Sequence, residues 1–170
     1  MKTTKLTLCL AILGVILFSS DNRKARAATA TANLAVSATI SNNCSITTIA
    51  VGFPAYDPIV THAATPDDST TGSVTVTCTK GAVTTIGLGL GANVAGTQMR
   101  MVNGTNYLNY ALYQDAGHAT VWGTAGAGLL TPVAAPSKAP RTFPVYGRIP
   151  AAQDLPAGTY TDTVVATVNF

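Results

Sequence analysis

Between residues 28 and 40 the chain reads ATATANLAVSATI, and apolar and polar positions alternate along it. Ala28, Ala30, Ala32, Leu34, Val36, Ala38 and Ile40 fall on one side. Thr29, Thr31, Asn33, Ala35, Ser37 and Thr39 fall on the other. A period of two predicts an extended strand with one apolar edge. Neither Pro nor Gly interrupts it. Such a strand can pair inside its own domain or add itself to an open sheet edge of another chain.

The same short-period pattern recurs downstream, cut by turn residues. Ile46, Ile49 and Val51 predict a short strand after Asn42-Asn43. Residues 53–68 carry Pro54, Pro58 and Pro66 and read as a crossing loop. Strands are predicted over 73–79 and 83–90, the second weakened by Gly87, Gly89 and Gly91. Residues 98–102 and 107–114 flank Asn103-Gly104, a strong hairpin signal. In the second of these strands Leu108, Tyr110 and Leu112 share one face. Asp115 to His118 is a turn, with Val121-Trp122 beyond it, and 125–141 is the least ordered-looking stretch. A strand resumes over 143–149, and 150–157 turns. Residues 160–170 form the terminal strand, with Val164, Ala166, Val168 and Phe170 on one side. Many short strands at this spacing predict an all-β sandwich. Thr, Val, Ala and Gly dominate, and no stretch sustains a helical period.

Residues 1–27 stand apart. Lys2 and Lys5 precede the apolar run 6–18, and Ala25-Arg26-Ala27 offers small residues for cleavage, so a signal peptide with the cut before Ala28 is expected. An uncleaved anchor is the alternative. This changes the charge argument. The full chain carries +3 from ten basic and seven acidic residues. Five of the basic ones lie before Ala28, together with Asp21, which leaves about −1. No basic patch for nucleic acid or a membrane surface remains.

Cys44 and Cys78, the two cysteines beyond the leader, most simply form one disulfide in an exported chain. A metal site from these cysteines and the distant His62 and His118 has the wrong ligand spacing. No nucleophile elbow, carboxylate pair or phosphate loop is present, so no catalytic, cofactor or metal residue is assigned. Trp122 and Tyr113 read as packing residues, the two histidines as loop residues, and Asn103-Gly104-Thr105 as a turn. A sugar platform, metal ligation and a glycosylation acceptor are the respective alternatives.

Several blocks come in a set order. They are Cys44, Gly72 to Cys78 (GSVTVTC), Arg100-Met101, Leu108 to Tyr113 (LNYALY) and Val121-Trp122-Gly123. Val145 to Pro150 (VYGRIP), Ala157 to Val164 (AGTYTDTV) and Val168-Asn169-Phe170 follow. In these the chain resembles the spore coat U domain proteins, a family that includes pilin subunits of the archaic (Csu-type) chaperone–usher pathway. The resemblance covers nearly the whole chain after the leader. Pro54 departs from it, standing where the family carries Gly after the Phe.

The resemblance implies an incomplete immunoglobulin-like sandwich over residues 41–170, lacking its last strand. It further implies completion by donor-strand exchange. Residues 28–40 then act as the donor, with Ala30, Ala32, Leu34, Val36 and Ala38 entering a neighbour's groove. Val164, Ala166, Val168 and Phe170 border that groove. The implied partners are neighbouring pilin subunits, a periplasmic chaperone and an outer-membrane usher. The implied destination is a pilus or fimbria at the cell surface, serving adhesion and biofilm formation. A secreted coat or matrix protein and a self-contained surface-binding module are the alternatives.

Overall fold

The computed structural model describes residues 26–170. The signal-peptide expectation therefore falls largely outside the described residues. The chain divides into a unit ending at Ala38 and a unit running from Thr39 to Phe170. In the first unit, residues 26–38 are exposed and belong to no strand. Leu34 and Val36 are 88% and 87% exposed.

The second unit is all-β. Its strands are β1 (Cys44–Ile49), β2 (Asp67–Cys78), β3 (Thr85–Leu88), β4 (Met99–Asn103), β5 (Asn106–Tyr113), β6 (Arg141–Ile149) and β7 (Ala166–Asn169). A five-stranded antiparallel sheet runs β1-β2-β6-β5-β4, and β3 pairs with β7 in a second sheet. The core lies between them, formed by Val74, Val76, Ile86, Tyr110, Trp122 and Ile149 among others. Trp122 is 1% exposed and its indole N–H donates to the Ile86 carbonyl at 2.9 Å, so it is core. Leu108, Tyr110 and Leu112 are buried while their alternate neighbours are not, as the period of two requires. Gly104, at φ +59°, makes the β4–β5 turn.

The strand predicted over 28–40 pairs with nothing among the described residues, and three elements of the second unit also differ from expectation. β2 begins at Asp67, not near Ser73, because Asp67 and Asp68 pair across to Ile149 and Arg148 and the Asp68 carboxylate takes two hydrogen bonds from Arg148. The terminal strand shortens to Ala166–Asn169. Before it, the Asp162 carboxylate turns inward and accepts from the Ala92 and Asn93 amides and from the Tyr110 hydroxyl. Residues 125–140 are irregular but pinned: Ile86 and Leu130 exchange two backbone hydrogen bonds, Gly81 and Ala135 are joined by another, and Ala135 is buried. Among the described residues no helix is long and apolar enough to cross a membrane.

Candidate functional site: a groove between two unpaired edges

Among the described residues β1 pairs with β2 alone, and β7 pairs with β3 alone. β1 and β7 lie beside each other. Among the described residues no backbone hydrogen bond joins them. Each edge therefore presents backbone donors and acceptors without a ladder partner, a strong template for another strand.

The seam continues past both strands. After Ile49 the chain runs through Val51 and Phe53 to Tyr56; before β7 it runs from Leu155 through Tyr160 to Val164. Between these two runs opens a cavity of about 630 Å³, floored by Met101, Leu108 and Ile149. Among the described residues no Asp, Glu, Lys or Arg lines it. Ile46, Val51, Phe53, Val164, Ala166 and Val168 are only half-buried, though packed against the core. The slot carries no formal charge, and apolar side chains share its lining with Tyr56, Gln153, Thr159 and Tyr160, a surface that suits an extended segment with one apolar face. Among the described residues no group of three or more His, Cys, Asp or Glu side chains is placed to hold a metal ion.

The local sequence explains how the rim crosses the sheet. Gly72 on β2 and Gly147 on β6 have no side chains where Val51 and Phe53 pass. A Cβ at either position would collide with one of them. Ser69 and Thr71, at an irregularity in the β2–β6 register, hydrogen-bond Gly52 through their hydroxyls. The sequence alone assigns none of these four a role at the rim, although Gly72 and Gly147 stand in the family-like blocks. Glycines inside otherwise good strands were the available signal, since they mark a close backbone approach.

Asp162 ties the run before β7 to the Ala92–Asn93 loop and to Tyr110. A Cβ on Gly91 (φ +87°) would collide with its carboxylate, and Asn93 bonds it through both backbone and side chain. Burial, reinforced by donation to Asp162 at 2.6 Å, pushes the Tyr110 hydroxyl far above its usual range, so it stays protonated as a donor.

The residues singled out from the sequence fall as follows. Cys44 and Cys78 stand directly opposite each other in the β1–β2 register and are joined by a disulfide. Val164, Ala166 and Val168 line the open edge half-buried, and Phe170 is 56% exposed. Ala30, Ala32, Leu34, Val36 and Ala38 are exposed, in the separate N-terminal unit. His62 and His118 are loop residues, as read. His62 is nonetheless buried, stacked on Tyr56 and 3.8 Å from Asp67. The pattern of Asn103-Gly104-Thr105 serves the hairpin.

Comparison with known proteins adds three findings. A family model described as the Spore Coat Protein U domain matches residues 30–167. Protein U of Myxococcus xanthus is 44% identical over 160 residues, covering 86% of this chain and 88% of that protein. A solved structure with TM-score 0.55 is the CsuC–CsuE chaperone–tip adhesion subunit pre-assembly complex from archaic chaperone–usher Csu pili of Acinetobacter baumannii. At 23% identity it covers 78% of this chain and 41% of its own, and it shows a likeness of fold.

Proposed function

The chain belongs to the spore coat protein U domain family, and from that premise we propose that it is a structural subunit of a surface pilus or fimbria. Assembly follows the chaperone–usher route: a periplasmic chaperone fills the groove during export, and the 28–40 segment of the next subunit replaces it at an outer-membrane usher. The leader over residues 1–27 supplies the export signal, and the fibre serves adhesion and biofilm formation.

The observation that carries this reading is the seam between β1 and β7. Two adjacent strands there lack a shared ladder, over a half-buried apolar strip. One inserted strand satisfies both defects together, with β1 and β7 parting to the roughly 9.5 Å that a strand between them needs. Main-chain bonds give affinity and alternate side chains fix register. Leu34 and Val36 would each contribute about 1.5–3 kcal/mol on full burial, and the alanines less. A slip of one residue would place Asn33 and threonines in the groove instead. Because donor and acceptor surfaces differ, the contact is head-to-tail and propagates as a fibre.

A second reading, a coat or matrix protein assembled by the same exchange without an usher, is favoured by the family's description. Both share one test. A synthetic peptide of residues 28–41 should raise the unfolding midpoint of the purified protein by several degrees. Val36→Asp should fold with its chaperone yet form no fibres. A heat-stable monomer indifferent to the peptide, or normal fibres from Val36→Asp, would exclude strand donation and leave the self-contained binding module.

A further inference from the structure

Charge is distributed unevenly along the axis of the groove. β1 starts at the Cys44–Cys78 end and leads, through Val51 and Phe53, to the cavity end, while β7 runs the opposite way. At the disulfide end stand the exposed Lys80 and Lys138, around a shallow surface that includes Asn43 and Cys44. Among the described residues neither lysine forms an ion pair. At the cavity end stand Asp57, next to the lining residues Tyr56 and Pro58, and the exposed Asp154, next to Gln153 and Leu155. Of the other charges near that end, Arg148 is paired, while Arg100 lies over the Tyr107 ring and bonds the Asn93 carbonyl. Asp68 holds Arg148 at 2.6 Å and Asp67 faces His62. One end is left net positive, the other net negative.

The connecting residues 39–43 are anchored at the positive end. The Asn43 amide donates to the Thr79 hydroxyl at 3.1 Å, and that hydroxyl reaches the Ser41 and Asn43 carbonyls at 3.3 Å. A neighbour's segment can enter the groove in either of two directions. Running antiparallel to β7, its last residues reach the cavity end. A short tether of about 3.3–3.6 Å per residue then brings the donor's lysine end to the acceptor's Asp57 and Asp154. Running the other way, the same tether sets lysine end against lysine end. Like charges opposed at an interface are penalised and opposite ones steer association.

We propose that the Lys80–Lys138 end of one copy docks on the Asp57–Asp154 end of the next. This second contact between copies selects the direction in which the strand enters. It rests on the strand-exchange reading above. The charges are exposed, so the contact acts on assembly rate and salt dependence more than on final stability.

The test follows polymerisation of the purified protein by light scattering, at low salt and at about 0.5 M salt. Lys80→Glu combined with Lys138→Glu should slow polymerisation on the order of tenfold at low salt and leave it unchanged at high salt. Adding Asp154→Lys to that chain should recover most of the rate. Asp154 is chosen because Asp57 also caps its own loop at Ile59 and Val60. The 28–41 peptide, which lacks the charged body, should raise the unfolding midpoint of the double-lysine variant as much as that of the parent. An unchanged low-salt rate with that peptide response intact overturns the end-to-end contact, as does a slowed rate that Asp154→Lys fails to recover. A peptide without effect on the parent overturns strand exchange itself, and the end contact falls with it.

Discussion

β2, β6 and β5 each have a strand on both sides, whereas β1 and β7 have a strand on one. On the flanked strands alternation ends in burial, with Val74, Val76, Tyr110, Leu112, Val145 and Ile149 all shut off from water. On β1 and β7 the same alternation stops halfway. Ile46, Ala166 and Val168 are half-buried, and Ile49 is 65% exposed. Edge position alone does not explain this. β3 is also paired on one side, yet Ile86 and Leu88 are buried because Gly123 and Leu130 bond its other side. β4 has Val102 bonded to Thr161 in the same manner. Those edges are covered by the chain's own loops; the β1–β7 seam is left open. What separates the regions is a missing neighbour, not a weaker sequence.

The comparison breaks most visibly at its closed side. Trp122→Ala removes a wholly buried ring and its bond to Ile86, and should cost about 3–5 kcal/mol in denaturant unfolding. That cost should be nearly the same with and without the 28–41 peptide, because the lost hydrogen bond runs to β3 and the indole is already shut off from water. A cost that vanished on adding peptide would mean that the inserted strand reaches the space the indole leaves.

Val168→Ala should behave in the opposite way. In the free protein it removes half-buried methyls, for about 0.5–1 kcal/mol. With peptide bound, Val168 becomes interior and the cost should rise to about 1–2 kcal/mol, read as a smaller peptide-induced shift in midpoint. An identical cost in both states would place Val168 away from the inserted strand.

How much of this was legible depended on whether local sequence or distant pairing decided each element. The β4–β5 hairpin was legible because Asn103-Gly104 encodes its own turn and Leu108, Tyr110 and Leu112 alternate over a buried face. The disulfide followed from a count of two. The start of β2 was hidden, since DDSTT reads as a loop until Arg148 on another strand supplies its partner. The terminal strand looked longer than it is, because nothing local announces that Asp162 turns inward to the Asn93 loop and Tyr110. Residues 125–140 lacked periodicity, and their order comes from single contacts at Leu130 and Ala135. The groove was the least legible feature. An unpaired edge is a property of what the chain lacks, and only the family resemblance drew attention to it. Gly72 and Gly147 were in plain view, but their meaning required knowing that Val51 and Phe53 cross above them.

The smallest effect concerns charge on the closed side, where Asp68 of β2 meets Arg148 of β6 with two hydrogen bonds of 2.6 and 2.7 Å. That pairing holds the Asp68 carboxyl below the usual carboxylate range. Backbone amides do the same for Asp57 and Asp115, chiefly those of Ile59 and Val60 and of Ala119 and Thr120. A carboxyl with a lowered folded value contributes stability that is complete above its unfolded value near 3.9 and is lost as pH falls through the folded one. Asp67 acts in the opposite sense. Burial raises it, so its contribution is complete below the unfolded value and is lost as pH rises through the raised folded value. Stability should therefore fall as pH drops through the lowered folded values of Asp68, Asp57 and Asp115, with Asp67 opposing the fall. Arg148→Ala should lower stability at neutral pH by less than about 1 kcal/mol, because the pair is partly exposed. The gap between variant and parent should close as Asp68 protonates in both. It should also be indifferent to the peptide, since both strands already have neighbours on either side. A gap unchanged between neutral pH and about pH 3 would mean that Arg148 acts through packing of its stem rather than through its charge.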